Sequence, residues 1–238
     1  MLTVQSATFG YGGKPIVSEV DMSVKAGEIV AVLGTNGAGK STLVKTLMGN
    51  QPPLAGRIQW DTSRPQPIAY LSQLTEFDRQ FPMNVKTLVA SGAWGQRRQG
   101  LATPQKIASA LDQVGLSDRT KTPIHELSSG QLQRARFARA IIQDAGLIIL
   151  DEPFTGVDQR REAQLLGLIQ SWAAQGRAMI LVLHDLSAAL KICARALLLG
   201  EGGSDFGTPK NILTAERLVA RGYVNQTQVD LMHKAAHA

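Results

Sequence analysis

An α/β fold built on a mostly parallel sheet is predicted by three observations. The apolar run Ile29-Val30-Ala31-Val32-Leu33 is strand-like, and Leu147-Ile148-Ile149-Leu150 is too continuous for a half-exposed strand, so it reads as one buried on both faces. Between such runs lie segments with apolar spacing of three and four, Val85 to Ala90 and Ile107 to Val114, which read as amphipathic helices. A glycine-rich loop then joins the first of these strands to a helix beginning near Gly39.

The elements follow in order along the chain. Strands are expected over Leu2 to Phe9, Glu28 to Leu33, Pro67 to Leu71, Leu147 to Leu150 and Ala178 to Leu183, which mark one core. Residues 82–127 turn helical, with Gly92 to Gly100, including Arg97 and Arg98, as an exposed turn between helices. Gly202-Gly203-Ser204 reads as a turn near the start of the C-terminal region. At 238 residues the chain can bury a large core as a single domain with an embedded subdomain. There is no internal repeat and no low-complexity segment.

Charge and cysteine content narrow the class. The net charge is +6 and the pI about 9.7, but charged residues make up only 18% of the chain and form no long blocks. Pairs such as Arg97-Arg98 and Arg160-Arg161 therefore read as solvated helix faces, and no nucleic-acid partner is expected. The single cysteine, Cys193, can form no intrachain disulfide and reads as a buried thiol in a reducing compartment. No signal peptide is evident. The apolar stretch Met179 to Leu199 is broken by His184, Asp185, Lys191 and Arg195, so no span of a bilayer is expected.

Chemistry concentrates first in Gly34-Thr35-Asn36-Gly37-Ala38-Gly39-Lys40-Ser41-Thr42, which fits the P-loop pattern and follows a strand-like run. Glycines let the backbone turn its N–H groups toward one point, and the following helix adds its positive dipole end, so a di- or triphosphate is held without reorganisation. Lys40 would neutralise β/γ charge, and Ser41 would offer a hydroxyl to Mg²⁺, a hard cation that keeps most of its water. The plain alternative is a glycine turn with a solvated lysine. Strand, loop and helix in register weigh against it.

Asp151-Glu152 closes the run Leu147 to Leu150. Asp151 is assigned to the Mg²⁺ shell, and Glu152, pointing to the other side by strand alternation, can polarise an attacking water. Without the P-loop, the same pair would read as acids favouring a helix N-terminus.

Leu127-Ser128-Ser129-Gly130-Gln131 sits shortly before Leu147 to Pro153, and the three stretches in this order resemble the ATP-binding cassette (ABC) ATPases over residues 1 to about 220. The resemblance implies a P-loop NTPase core with a mostly parallel sheet, an N-terminal antiparallel β portion and an inserted α-helical subdomain. Its division of this chain would be a nucleotide core at about 1–81 and 128–220, a helical subdomain at about 82–127 extending into the signature helix, and a tail at about 221–238. It implies ATP and Mg²⁺ as cofactors and a head-to-tail dimer. Ser128, Ser129, Gly130 and Gln131 would form the signature loop facing the other copy's γ-phosphate, with Ser129 replacing the family's usual glycine. Gln73 resembles the glutamine that senses Mg²⁺ and water, His184 the switch histidine, Asp158 the aspartate that crosses the dimer interface, and Tyr11 the ring that stacks on adenine. Phe9 lies close by, and either ring could instead be a core aromatic. His125, a loop or core residue, and His233 and His237 receive no role.

The runs Phe81-Pro82-Met83-Asn84-Val85 and Glu152-Pro153-Phe154-Thr155-Gly156-Val157-Asp158 look most like ATPases of bacterial zinc and manganese uptake systems. That resemblance implies a separate integral membrane permease, a periplasmic or extracellular solute-binding protein, and a place on the cytoplasmic face of the plasma membrane. The permease would dock on Phe77, Phe81, Pro82 and Met83, interrupted by Asp78 and Arg79. Importers of other cargo such as iron chelates remain open, as does a soluble non-transport cassette, which usually carries tandem cassettes or a coiled-coil insertion. A non-hydrolysing cassette is disfavoured by the presence of Lys40, Asp151, Glu152 and His184.

Overall fold

The structure, a computed structural model, describes residues 1–61, 68–73, 78–94 and 102–224. Phe77, Arg97, Arg98, His233 and His237 lie outside the described residues, as does most of the C-terminal tail. Two compact units form, Met1–Ser63 with Val182–Ala238, and Arg64–Leu181.

In the first unit, β1 (Leu2–Tyr11) is the middle strand of an antiparallel sheet, flanked by β2 (Lys14–Val24) and β4 (Ala55–Trp60). Register shifts near Ser6 bend this sheet, and the Ser6 N–H donates to Asp21 Oδ1 at 2.8 Å. A side chain at Gly56 would meet the Ser6 carbonyl at 2.2 Å, so only glycine fits opposite the bulge. The same unit holds β3 (Ile29–Gly34), parallel to β8 (Arg195–Gly200), which turns back through a hairpin into antiparallel β9 (Gly203–Gly207). All six residues of β3 are buried, in keeping with its unbroken apolar run. Gly203 and Ser204, expected in a turn, open β9 instead; the turn sits at residues 201–202. Arg195 joins these strands, donating to Glu28 through Nε (2.5 Å) and Nη2 (2.6 Å) and to Ser23 Oγ (2.8 Å), with its guanidinium 4.8 Å over Phe206.

The second unit carries β5 (Ile68–Leu71) parallel to β6 (Leu147–Asp151), with β7 (Ala178–Val182) beside β6. Between β5 and β6 runs the helical region: α2 (Val85–Ala90), α3 (Pro104–Gln113) and α4 (Ser129–Gln143). Asn84 and Thr103 cap the first two by accepting the N–H of Thr87 and Lys106. Gly92 is buried rather than part of an exposed turn, because its backbone packs where a Cβ would come within 2.4 Å of the Arg139 carbonyl. His125 is exposed in a short 3₁₀ turn, so it is no core residue. Helix α5 (Gln159–Ala174) packs on α4 through Phe137 and Trp172, whose rings stack at 6.1 Å. No helix among the described residues is long and apolar enough to cross a membrane.

Candidate functional site

In the first unit the glycine-rich loop links β3 to helix α1 (Lys40–Leu47). Gly39 stands at the helix N-cap with φ 91°, and a Cβ there would lie 2.1 Å from Val17 Cγ2, so conformation and space both demand glycine. Val17, on β2, is thus the buttress of the loop, a contact between distant segments that no local pattern announces. No side chain caps α1 and no acid occupies its first turn, which leaves its N–H groups and positive end for an anion. Lys40 is buried; its Nζ donates to the carbonyls of Gly34 (2.7 Å) and Thr35 (2.9 Å), so the ammonium lies over its own loop. Ala38 N–H closes the loop onto the Thr35 carbonyl at 3.1 Å. Asn36, Gly37 and Ser41 are exposed, while Thr42 is buried in the helix. Tyr11 is 43% exposed at the end of β1, whereas Phe9 is wholly buried, which leaves Tyr11 as the ring able to meet a base.

His184 lies in the same unit, one residue after Leu183, whose N–H donates to the Val32 carbonyl at 3.0 Å. Its side chain is exposed, and its carbonyl accepts the Tyr223 hydroxyl at 2.5 Å. Asp185 caps helix α6 (Leu186–Ile192) by accepting the Ser187 N–H at 2.8 Å and hydroxyl at 2.7 Å. Burial would raise the Asp185 carboxyl pKa, but these bonds, the Ala188 N–H and Lys191 outweigh it and hold it below the usual range. The Tyr223 phenol is pushed up by burial and by the Asp185 charge, so it stays a hydrogen-bond donor at neutral pH.

The second unit brings Gln73 and Glu152 together: Gln73 Nε2 donates to Glu152 Oε1 at 3.0 Å. Thr155 Oγ1 reaches the other Glu152 oxygen at 3.4 Å. Glu152 sits at φ 49°, a left-handed backbone rare for a residue with a side chain. Strand alternation therefore stops at Asp151, and a sharp turn, not the pleat, aims Glu152. Asp151 is 3% exposed at the end of β6, with the Tyr70 hydroxyl 3.4 Å from its Oδ2.

The signature loop opens α4 as a capping box: the Gln131 N–H donates to Ser128 Oγ at 3.2 Å, and Gln131 Oε1 accepts the Ser128 N–H at 2.9 Å. Capping uses Ser128 as an acceptor and leaves its hydroxyl proton for a ligand. Ser129 packs on Gly156, where an added Cβ would lie 3.1 Å from Ser129 Cβ, and Gly130 approaches the Gly156 carbonyl, 2.9 Å from a Cβ built there. Ser129 thus faces a glycine in the loop before α5. Asp158 caps α5 by accepting the Arg161 N–H at 3.0 Å.

Ser41 and Asp151 offer hydroxyl and carboxylate oxygens, hard donors that fit Mg²⁺. Among the described residues no group of three or more His, Cys, Asp or Glu could hold a metal ion.

A family model described as ABC transporter matches residues 17–155, more than half of the chain. The chain belongs to the ABC transporter family. It is 34% identical over 224 residues to the manganese transport system ATP-binding protein MntB of Bacillus subtilis, covering 90% of this chain and 89% of that protein. It is 36% identical over 205 residues to the zinc transport system ATP-binding protein TroB of Treponema pallidum, covering 82% and 77%. Among solved structures, a chain of an inward-facing ABC transporter described as of the metal-chelate type superposes with a TM-score of 0.80 at 30% identity, covering 94% of this chain and 89% of that one. This ABC protein is accordingly an ATPase, the ATP-binding subunit of a transporter, with the α/β fold of its family.

Proposed function

We propose that this ATPase drives a bacterial importer for zinc or manganese, zinc slightly preferred. Two copies meet head to tail, each signature loop acting on nucleotide held by the other, and a separate integral membrane permease carries the ion. A periplasmic or extracellular solute-binding protein delivers the cargo, and the ATPase sits on the cytoplasmic face of the plasma membrane. The cargo reading is supported by the manganese and zinc transport relatives and by the runs Phe81 to Val85 and Phe154 to Asp158.

Within the ATPase, the division into nucleotide core and inserted helices is kept as expected, at about 1–81 with 128–220 and about 82–127. The phosphates fall to Gly34–Thr42, with Lys40 as the neutralising charge, and adenine to Tyr11. Ser41, Asp151 and Gln73 would hold Mg²⁺, which supplies charge neutralisation at the β- and γ-phosphates. Glu152 orients and polarises the attacking water, His184 contacts the γ-phosphate, and Ser128 to Gln131 with Asp158 act across the dimer. The observation that carries the hydrolytic assignment is the 3.0 Å contact of Gln73 with a Glu152 aimed by a left-handed turn. The test is uptake of radioactive zinc and of manganese by cells or vesicles with the whole system, with and without Glu152→Gln. Uptake of one ion that disappears in the variant is expected; uptake of neither, or uptake indifferent to the variant, overturns the reading.

A further inference from the structure

Helix α4 buries three polar side chains, Gln133, Arg134 and Arg136; Arg134 donates to the carbonyls of Val114 and Gly115, and the other two face the site. Gln133 is wholly buried and Arg136 is 5% exposed. A guanidinium removed from water persists only where hydrogen bonds replace its hydration. Arg136 Nη1 donates to Gln133 Oε1 at 2.9 Å, three residues back on the same helix face. Its Nη2 donates to the Ser72 carbonyl at 2.5 Å and to Ser72 Oγ at 3.1 Å. Gln133 Nε2 in turn donates to the Pro153 carbonyl at 2.9 Å.

The two anchored carbonyls have a common meaning. Ser72 immediately precedes Gln73, and Pro153 immediately follows Glu152. Those are the two residues whose side chains meet at 3.0 Å. One buried Arg–Gln pair therefore fixes the backbone beside each partner of the contact, including the turn that holds Glu152 at φ 49°. The same helix begins at the capping box of Ser128 and Gln131, within one and a half turns of Gln133. A helix moves as a rigid element, so a shift of the signature loop is carried to both backbone anchors.

We propose that Gln133 and Arg136 are positioning residues that tie the Gln73–Glu152 contact to the signature helix, a role that rests on Glu152 acting on the attacking water. Engagement of the signature loop by nucleotide on the second copy is then felt at the hydrolytic glutamate of the copy that owns the loop. Each side chain acts through the carbonyl it holds.

The test is steady-state ATPase kinetics of the full chain, paired with binding of a fluorescent ATP analogue. Arg136→Met should lower kcat about 10-fold while analogue affinity stays within about 2-fold, since the interaction lost serves the reaction step and not ground-state binding. Any sigmoidal dependence of rate on ATP should flatten toward a hyperbola. Arg136→Lys, which keeps a donor, should recover a large part of kcat. The double variant Gln133→Met/Arg136→Met should be no slower than the worse single one, because both belong to one network. Should Arg136→Met not fold, Gln133→Glu carries the test, because it keeps size and the acceptor for Arg136 while losing the donor to Pro153. An unchanged kcat in a folded variant, or additive losses in the double, overturns the proposal. Glu152→Gln separates the two levels: full turnover there sinks the glutamate assignment and the relay with it, whereas an inactive Glu152→Gln beside a fully active Arg136→Met sinks the relay alone.

Discussion

The roles proposed for Lys40 and Glu152 belong to different steps, and their surroundings differ. The Lys40 ammonium lies over the carbonyls of its own loop, whereas Glu152 is held by Gln73 and by a turn that strains its backbone. Lys40→Ala should abolish detectable binding of Mg-ATP. Glu152→Gln should keep ATP bound, slow hydrolysis by about 100-fold or more, and accumulate an ATP-bound dimer in size-exclusion chromatography. Monomeric Glu152→Gln with ATP bound would contradict the dimer. At the same scale, Cys193 is 8% exposed and burial pushes its thiol up to about 12, so almost no thiolate exists at neutral pH. A thiol reagent at pH 7.5 should therefore label the native chain far more slowly than the urea-unfolded one; equal rates would show that Cys193 is accessible. The glycine loop between β3 and α1 and the strand that ends at Asp151 were legible in the sequence because each is written in adjacent residues, whereas the turn at Glu152 was not. Val17, Gln133, Arg136 and Tyr223 were not, since their partners lie far along the chain and a buried Arg or Gln looks in sequence like a solvated helix position.

Among elements, α4 is the one whose start is proposed to serve two purposes. Ser128 caps α4, so Ser128→Ala should cost about 1 kcal/mol of stability by the usual worth of such a cap. Ser128→Glu places a carboxylate where a γ-phosphate is expected and should suppress turnover, while analogue binding to the monomer stays nearly intact. Equal specific activity at all protein concentrations would remove the action across the dimer that this variant is meant to block. The elements missed in sequence have physical reasons too. β2 mixes Lys14, Pro15, Ser18, Glu19 and Asp21 with few buried positions, and its bulges break the period of two. β9 is Gly-Ser-Asp-Phe-Gly, a composition that reads as a turn and becomes a strand only by pairing with β8. β3 and β6, buried on every residue, were plain from their apolar runs.

Several strands of the first unit meet at Arg195, and that junction makes stability depend on pH. Burial would raise the Glu28 carboxyl, but the Arg195 hydrogen bonds, the Lys25 N–H and both positive charges bring it below the usual carboxylate value. A depressed folded pKa means stabilisation that is present at neutral pH and is lost as pH falls through that value. Glu28→Gln should then cost roughly 1–3 kcal/mol at pH 7, because it leaves a partly buried guanidinium short of its anion. Urea midpoints should converge for the two proteins as pH falls through the depressed value at which Glu28 of the unmodified chain also protonates. A gap that persists undiminished at low pH would mean that packing, not charge, holds the junction.

For the whole molecule, the separation of motor from membrane contact is the property most open to a single substitution. Phe81 is 51% exposed and Pro82 is also exposed, just before α2, so the proposed permease contact is open to a partner. Arg79 is tied back by its guanidinium to the carbonyl of Leu127, the first residue of the signature stretch, so this segment is held from the site side and open on the other. Phe81→Asp puts a charge in the middle of the exposed patch without touching Lys40, Gln73 or Glu152. The isolated variant should hydrolyse ATP at the unmodified rate and keep its melting temperature, since little buried area is lost. In the complete system, metal uptake should fall at least 10-fold, because a desolvated aspartate at the centre of an interface costs more than one buried aromatic contributes. Uptake at the normal rate would place the permease elsewhere on the surface, and loss of ATPase in the isolated chain would show that Phe81 supports the site itself.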